Sequence, residues 1–127
     1  MSLIAFSFCI FLLAVWNARN DARDIADHVL IDHQQEWMYR ALIAFGFAWV
    51  FGKGWGIVWM LIGGAFLFSA VFRLTLNRLR GKAWDYVSLS NTYDSVFIMA
   101  FGADAGRNAY VLEAAVCAAC FALYPGV

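Results

Sequence analysis

The sequence predicts an all-α integral membrane protein: a bundle of about four short transmembrane helices, with an amphipathic helix after the first span and a short interfacial helix before the last. Three observations predict it. Apolar residues make up 64% of the 127-residue chain and charged residues only 14%, with a mean hydropathy of +0.68. Five of the six tryptophans (Trp16, Trp37, Trp49, Trp55 and Trp84) stand at the ends of apolar runs. Indole joins an apolar body to one polar N–H and settles at headgroup depth, so these positions mark where bilayer interfaces fall. The basic residues, finally, are segregated between alternate connections.

The first apolar run, Ser2–Trp16, has the length of a signal-peptide core. No Lys or Arg precedes it, and Val15-Trp16-Asn17 is too bulky for a cleavage site, so it is read as a retained first span. Further spans follow at about 37–51, 55–72 and 109–124. Each run is shorter than the ~20 residues that cross ~30 Å of hydrocarbon. Helix running into an interface can lengthen three of them: from Asn17 onward, over Gln34–Glu36, and over Arg73–Arg80. Phe51-Gly52-Lys53-Gly54 carries two glycines and closes a tight turn between antiparallel neighbours.

The connection at about 18–36 is itself helical. On a 3.6-residue wheel Ala22, Ile25, Ala26, Val29, Leu30, His33 and Trp37 form one stripe, with Arg23, Asp24, Asp27, His28 and Gln35 opposite. Such a helix lies on the membrane surface or under the bundle and continues into the second span. Before the last span, Asn91-Thr92-Tyr93-Asp94 reads as an N-cap with an acid at N3, and Val96–Phe101 ends at Gly102, a C-cap. The resulting helix, about 91–102, is too short to span and is interfacial or re-entrant. The whole chain, 1–127, forms one polytopic membrane domain without internal repeats.

Orientation follows from the cations. Arg19, Arg23 and Arg40 flank the first long connection; Arg73, Arg78, Arg80, Lys82 and Arg107 flank the second; Lys53 alone lies opposite. The positive-inside rule then places both long connections in the cytoplasm and both termini outside it, as in a bacterial inner membrane.

The candidate chemistry is sparse. Asp24, His28 and Asp32 suggest a metal site, since imidazole and carboxylate suit zinc, iron or manganese. His28 and His33 are five residues apart, hence about 140° apart around a helix, so one ion could not use both. A solvated polar face is the better reading, and no metal or other cofactor is expected. His33, Glu36 and Arg40, by contrast, share one helical face with the apolar stripe, and Glu36–Arg40 is a favourably oriented i,i+4 pair. A charge entering a span on its inward face is costly unless paired. Arg73, Asn77 and Arg80 share a face of the third helix, and Glu113 lies about one turn inside the fourth span at the same depth. These residues predict a polar cluster at the cytoplasmic mouth of the bundle, with Glu113 accepting from Arg40 or Arg73. It reads first as an ion-pair network locking the helices. Its functional alternative is a site for an anionic lipid headgroup or other anion, held bidentately by arginine, with His33 as the titratable member.

Cys117-Ala-Ala-Cys120 has redox spacing but lies mid-span among alanines, where Ala114, Ala118 and Ala122 repeat every four residues as a seam for close helix approach. Packing is the better reading there, as it is for Gly63 and Gly64. No GxGxxG or Walker pattern exists, and Ser88, Ser90 and Ser95 lack a hydrolase motif. The glutamate of a four-helix multidrug exporter's first span has no counterpart in the uncharged Ser2–Trp16.

With nine basic and nine acidic residues, no nucleic acid is expected as partner. The expected partners are the lipid bilayer and either further copies of the chain or a larger membrane complex. The expected function is that of a structural or accessory subunit or self-associating membrane component without a catalytic motif, a phage-encoded, holin-like protein being one form this could take. The alternative is a small membrane enzyme or transporter centred on Arg40, Arg73, Arg80 and Glu113, with His33 as acid or base.

Overall fold

The computed structural model describes residues 2–31, 33–87 and 92–125, with the side chains of all of these except 33, 34, 92 and 93. The described residues are 83% helix and include no strand. Among the described residues five α-helices follow in order: α1 (Ser2–Ala26), α2 (His33–Phe51), α3 (Gly56–Leu79), α4 (Thr92–Phe101) and α5 (Ala105–Ala122), with a 3-10 turn at Gly102–Asp104 leading into the last. Two of them, α1 and α3, are long and apolar enough to cross a membrane. At 1.5 Å per residue they measure about 37 and 36 Å.

α3 is the central element, packed on one side against α1 and on the other against α5. Its two adjacent glycines make both approaches possible, because neighbouring helical residues point about 100° apart. A Cβ on Gly63 would fall 2.5 Å from the Phe121 ring of α5, and one on Gly64 would fall 2.8 Å from the Phe6 ring of α1. α1 answers with a stripe at spacings of four and three, Phe6, Ile10, Ala14, Ala18 and Asp21, all buried. Met60, Phe68, Ala48 and Tyr124 complete the core. α2 returns antiparallel through the Gly52–Trp55 turn, where Gly54 takes φ +53° and a side chain on Gly52 would strike the Ala48 carbonyl. At the opposite end, α4 packs across α5.

Two boundaries depart from the sequence reading. The first helix does not yield at Trp16 to a separate amphipathic helix over 18–36. It runs unbroken to Ala26, and the chain then turns before α2 begins at His33. The break sits at His28, which adopts φ 58°. The Val29 N–H reaches back to the Asp24 carbonyl (2.9 Å) and the His28 N–H to that of Ile25 (3.3 Å), the double closure that ends a helix when its C′ residue is left-handed. Histidine is among the few non-glycine residues enriched in that region. The long apolar–polar stripe read across 22–37 is therefore divided between two helices. α5 likewise starts at Ala105 rather than near 109.

A second closure of the same kind ends α3. The Lys82 N–H bonds to the Asn77 carbonyl (2.8 Å) and the Gly81 N–H to that of Arg78 (3.2 Å), with Gly81 at φ +65°. This turns the segment after α3 back beneath the bundle.

The alanine seam is not part of the packing within the chain. Ala114, Ala118 and Ala122 are exposed. α5 instead buries Ala105, Gly106, Ala109, Glu113 and Cys120. The stripe containing Glu113 wins the inward face because the carboxylate must reach a cation on α3, and that turns the alanines outward.

Candidate functional site

The polar residues converge in two clusters, one on each flank of α3. In the first, α2 carries Arg40 inward to meet α1. Its Nη2 donates to both oxygens of Asp21 at 3.0 Å and to Glu36 Oε2 at 2.8 Å. Its Nε donates to Asn17 Oδ1 at 3.0 Å. Asn17 is set for this by its own helix: its amide nitrogen donates to the Leu13 carbonyl (2.8 Å), which leaves the oxygen facing Arg40. The guanidinium also lies over the rings of Phe72 (4.9 Å) and Phe68 (5.8 Å) on α3. Charge, hydrogen bonds and aromatic faces together make burial of an arginine tolerable.

In the second cluster Arg73 of α3 donates from Nη2 to Glu113 Oε1 on α5 at 3.0 Å and to Asp94 Oδ1 on α4 at 3.3 Å. Ser69, one turn earlier on α3, donates its hydroxyl to the same Glu113 oxygen at 3.2 Å. The guanidinium lies over the Tyr110 ring at 5.3 Å and the Phe97 ring at 5.7 Å. Glu113 is wholly buried, at 0% exposure.

Below this cluster the segment after α3 is held tightly. Asn77 donates to the carbonyls of Trp84 (3.1 Å) and Tyr86 (2.9 Å), and the Tyr110 hydroxyl donates to the Trp84 carbonyl at 2.8 Å. Gly106 lets the Asp85 backbone approach α5 so closely that a Cβ there would overlap its carbonyl.

The expected single cluster is thus two. Glu36 joins Arg40, and Glu113 accepts from Arg73. Arg40 and Glu113 belong to different clusters, because Phe68 and Phe72 interpose between Arg40 and the α5 side of α3. Asn77 is buried but serves the following segment, not an ion pair. Arg80 is exposed at the end of α3, where the helix closes and its face ceases to exist. The side chain of His33 and the whole of Asp32, Ser88, Ser90 and Asn91 lie outside the described residues. His28 is exposed in its turn, and Asp24 is one turn behind it on α1. Among the described residues no group of three His, Cys, Asp or Glu side chains could hold a metal.

Sequence reasoning missed Asn17, Asp21, Ser69 and Asp94 as cluster members. Asp21 was legible in part, since it continues the Phe6–Ile10–Ala14–Ala18 stripe. Asp94 was read only as an acid near a helix start, because nothing local says that α4 lies against Arg73.

Each cluster sets one guanidinium against two carboxylates, a formal charge of −1. Arg40 donates to Asp21, Glu36 and Asn17, and Arg73 donates from Nη2 to Glu113 and Asp94, so the arrangement fastens helix to helix. No protein-family model, characterised protein or solved structure matches this chain significantly.

Proposed function

We propose that this chain is a small polytopic membrane component, a structural or accessory subunit that self-associates, with α1, α2, α3 and α5 as its spans. The observation that carries the reading is the occupation of both buried arginines by carboxylates from neighbouring helices. Arg40 staples α2 to α1, and Arg73 staples α3 to α4 and α5. Such pairs are what a bundle in hydrocarbon uses to fix helix register, where an unpaired charge would be prohibitive. The same occupation counts against an anion or headgroup site at Arg40, Arg73 and Glu113, since a phosphate would have to displace two acids.

Placement of the ends supports four spans. Ser2, Tyr124 and the Phe51 carbonyl meet at one end, with Tyr124 Oη 3.5 Å from both the Ser2 hydroxyl and the Phe51 oxygen. Both clusters lie toward the other end. The eight cations of the long connections accordingly fall opposite Lys53 in the sequence, an asymmetry that supports termini outside the cytoplasm. Trp16, Trp37, Trp49 and Trp55 are all more than half exposed, at positions suited to the two interfaces. The outward-facing Ala114–Ala118–Ala122 seam is suited to close contact between copies.

Native mass spectrometry from nanodiscs, with cysteine accessibility at residues 53 and 82, tests the reading. A defined homo-oligomer with the two positions labelled from opposite sides supports it. Labelling from the same side refutes the topology, and a monomer with a stoichiometric metal refutes the structural role.

A further inference from the structure

We propose that the groove between α1 and α2 seats one acyl chain of an anionic phospholipid whose phosphate is held by Arg19. The inference rests on the membrane reading above and adds a ligand, at a position separate from both ion-pair clusters. The groove has a volume of about 460 Å³ and is walled by Cys9, Leu12, Leu13, Trp16 and Phe47, with Arg19 at its mouth.

Its origin is the unequal packing of α1. The helix turns its buried stripe toward α3 and meets α2 far less extensively. Arg40 pins α2 to Asn17 and Asp21 near one end. Farther along α1, Phe47 lines the crevice from the α2 side, and the crevice is largely apolar. Lipid tails fill such a crevice at little cost to polar groups, because its walls are mostly apolar apart from Arg19.

Charge complementarity selects the occupant. Arg40 and Arg73 are buried and consumed by carboxylates. Arg19 is exposed and forms no ion pair among the described residues. It stands three residues beyond Trp16, whose indole is 68% exposed and suited to headgroup depth. From Arg19 to Cys9 is ten residues of helix, about 15 Å, or half of the ~30 Å hydrocarbon core. The groove thus begins at a headgroup-level cation and ends near the midplane, the reach of a chain from one leaflet. A guanidinium presents parallel N–H groups that match a phosphate bidentately.

A phosphatidylglycerol bearing a diazirine midway along one acyl chain tests the proposal, with the full-length protein in phosphatidylcholine nanodiscs. Photolysis should concentrate adducts on residues 9–13 and around Phe47. Arg19→Gln should lower the yield about fivefold, the effect of one interfacial cation on an anionic lipid, while leaving a matched phosphatidylcholine probe unchanged. Leu12→Trp, which fills the groove, should suppress both probes. Adducts spread evenly over the exposed faces of α1, α3 and α5, or a yield indifferent to Arg19→Gln, would overturn the proposal. Loss of the protein from membranes in an alkaline wash would instead overturn the membrane reading beneath it.

Discussion

If Arg73 and Glu113 are a structural pair, removing both should harm the protein less than the sum of removing each. Arg73→Met leaves two carboxylates, Glu113 at 0% and Asp94 at 7% exposure, facing each other without a cation. Breaking a buried pair in this way costs about 3–5 kcal/mol. Glu113→Leu leaves Arg73 with Asp94 at 3.3 Å and brings the formal charge of the cluster from −1 to zero, so its cost is smaller, about 1–3 kcal/mol. In the double variant only Asp94 remains, and replacing a buried pair by apolar side chains is often nearly neutral. A total of ~2–3 kcal/mol is expected, at least ~1 kcal/mol below the sum. The assay is reversible unfolding in mixed micelles, followed by helical circular dichroism, on all four members of the cycle. Additivity within ~0.5 kcal/mol would refute the coupling, since that is how independent sites behave.

Glycine positions offer a matched pair of tests. Gly106→Ala should cost about 1–3 kcal/mol or more, because its Cβ would overlap the Asp85 carbonyl and backbone must move. Gly46→Ala, on an exposed helical site with nothing within 4 Å, should stabilise by about 0.5–1 kcal/mol through helix propensity; the opposite ranking in thermal stability would contradict the packing described. At the break between α1 and α2, His28→Gly should stabilise by about 0.5–1 kcal/mol and His28→Val should destabilise, since φ 58° strains a β-branched residue. Equal midpoints for these two variants would exclude a left-handed residue 28. On the outward face of α5, Ala118→Leu should leave the stability of the isolated chain within ~0.5 kcal/mol while lowering the proportion of oligomer in native mass spectra; an unchanged oligomer would remove this seam from the assembly interface.

What the residues determined by themselves was local. Composition and periodicity yield an all-helical chain, the Gly52–Gly54 turn, the short helix ending at Gly102, and helix running past Arg73 toward Arg80, because each depends on neighbours within a few positions. The i,i+4 pair of Glu36 and Arg40 was legible for the same reason. The break at His28 was less so: a histidine is permitted a left-handed φ but does not announce it, and the apolar stripe runs on across the turn.

Tertiary structure decided everything that depends on which helix meets which. It gave Arg40 to Asp21 and Arg73 to Asp94 and Glu113, and so divided one expected cluster into two. It turned Glu113 inward and the alanine seam outward, although both faces of α5 are compatible with burial by sequence. The reason is energetic. In the bilayer proposed for this chain a hydrophobic residue would face lipid or protein at nearly equal free energy, so the apolar pattern could not choose the contact face. A charge cannot make that exchange, and the few buried charges therefore set the rotation of each helix.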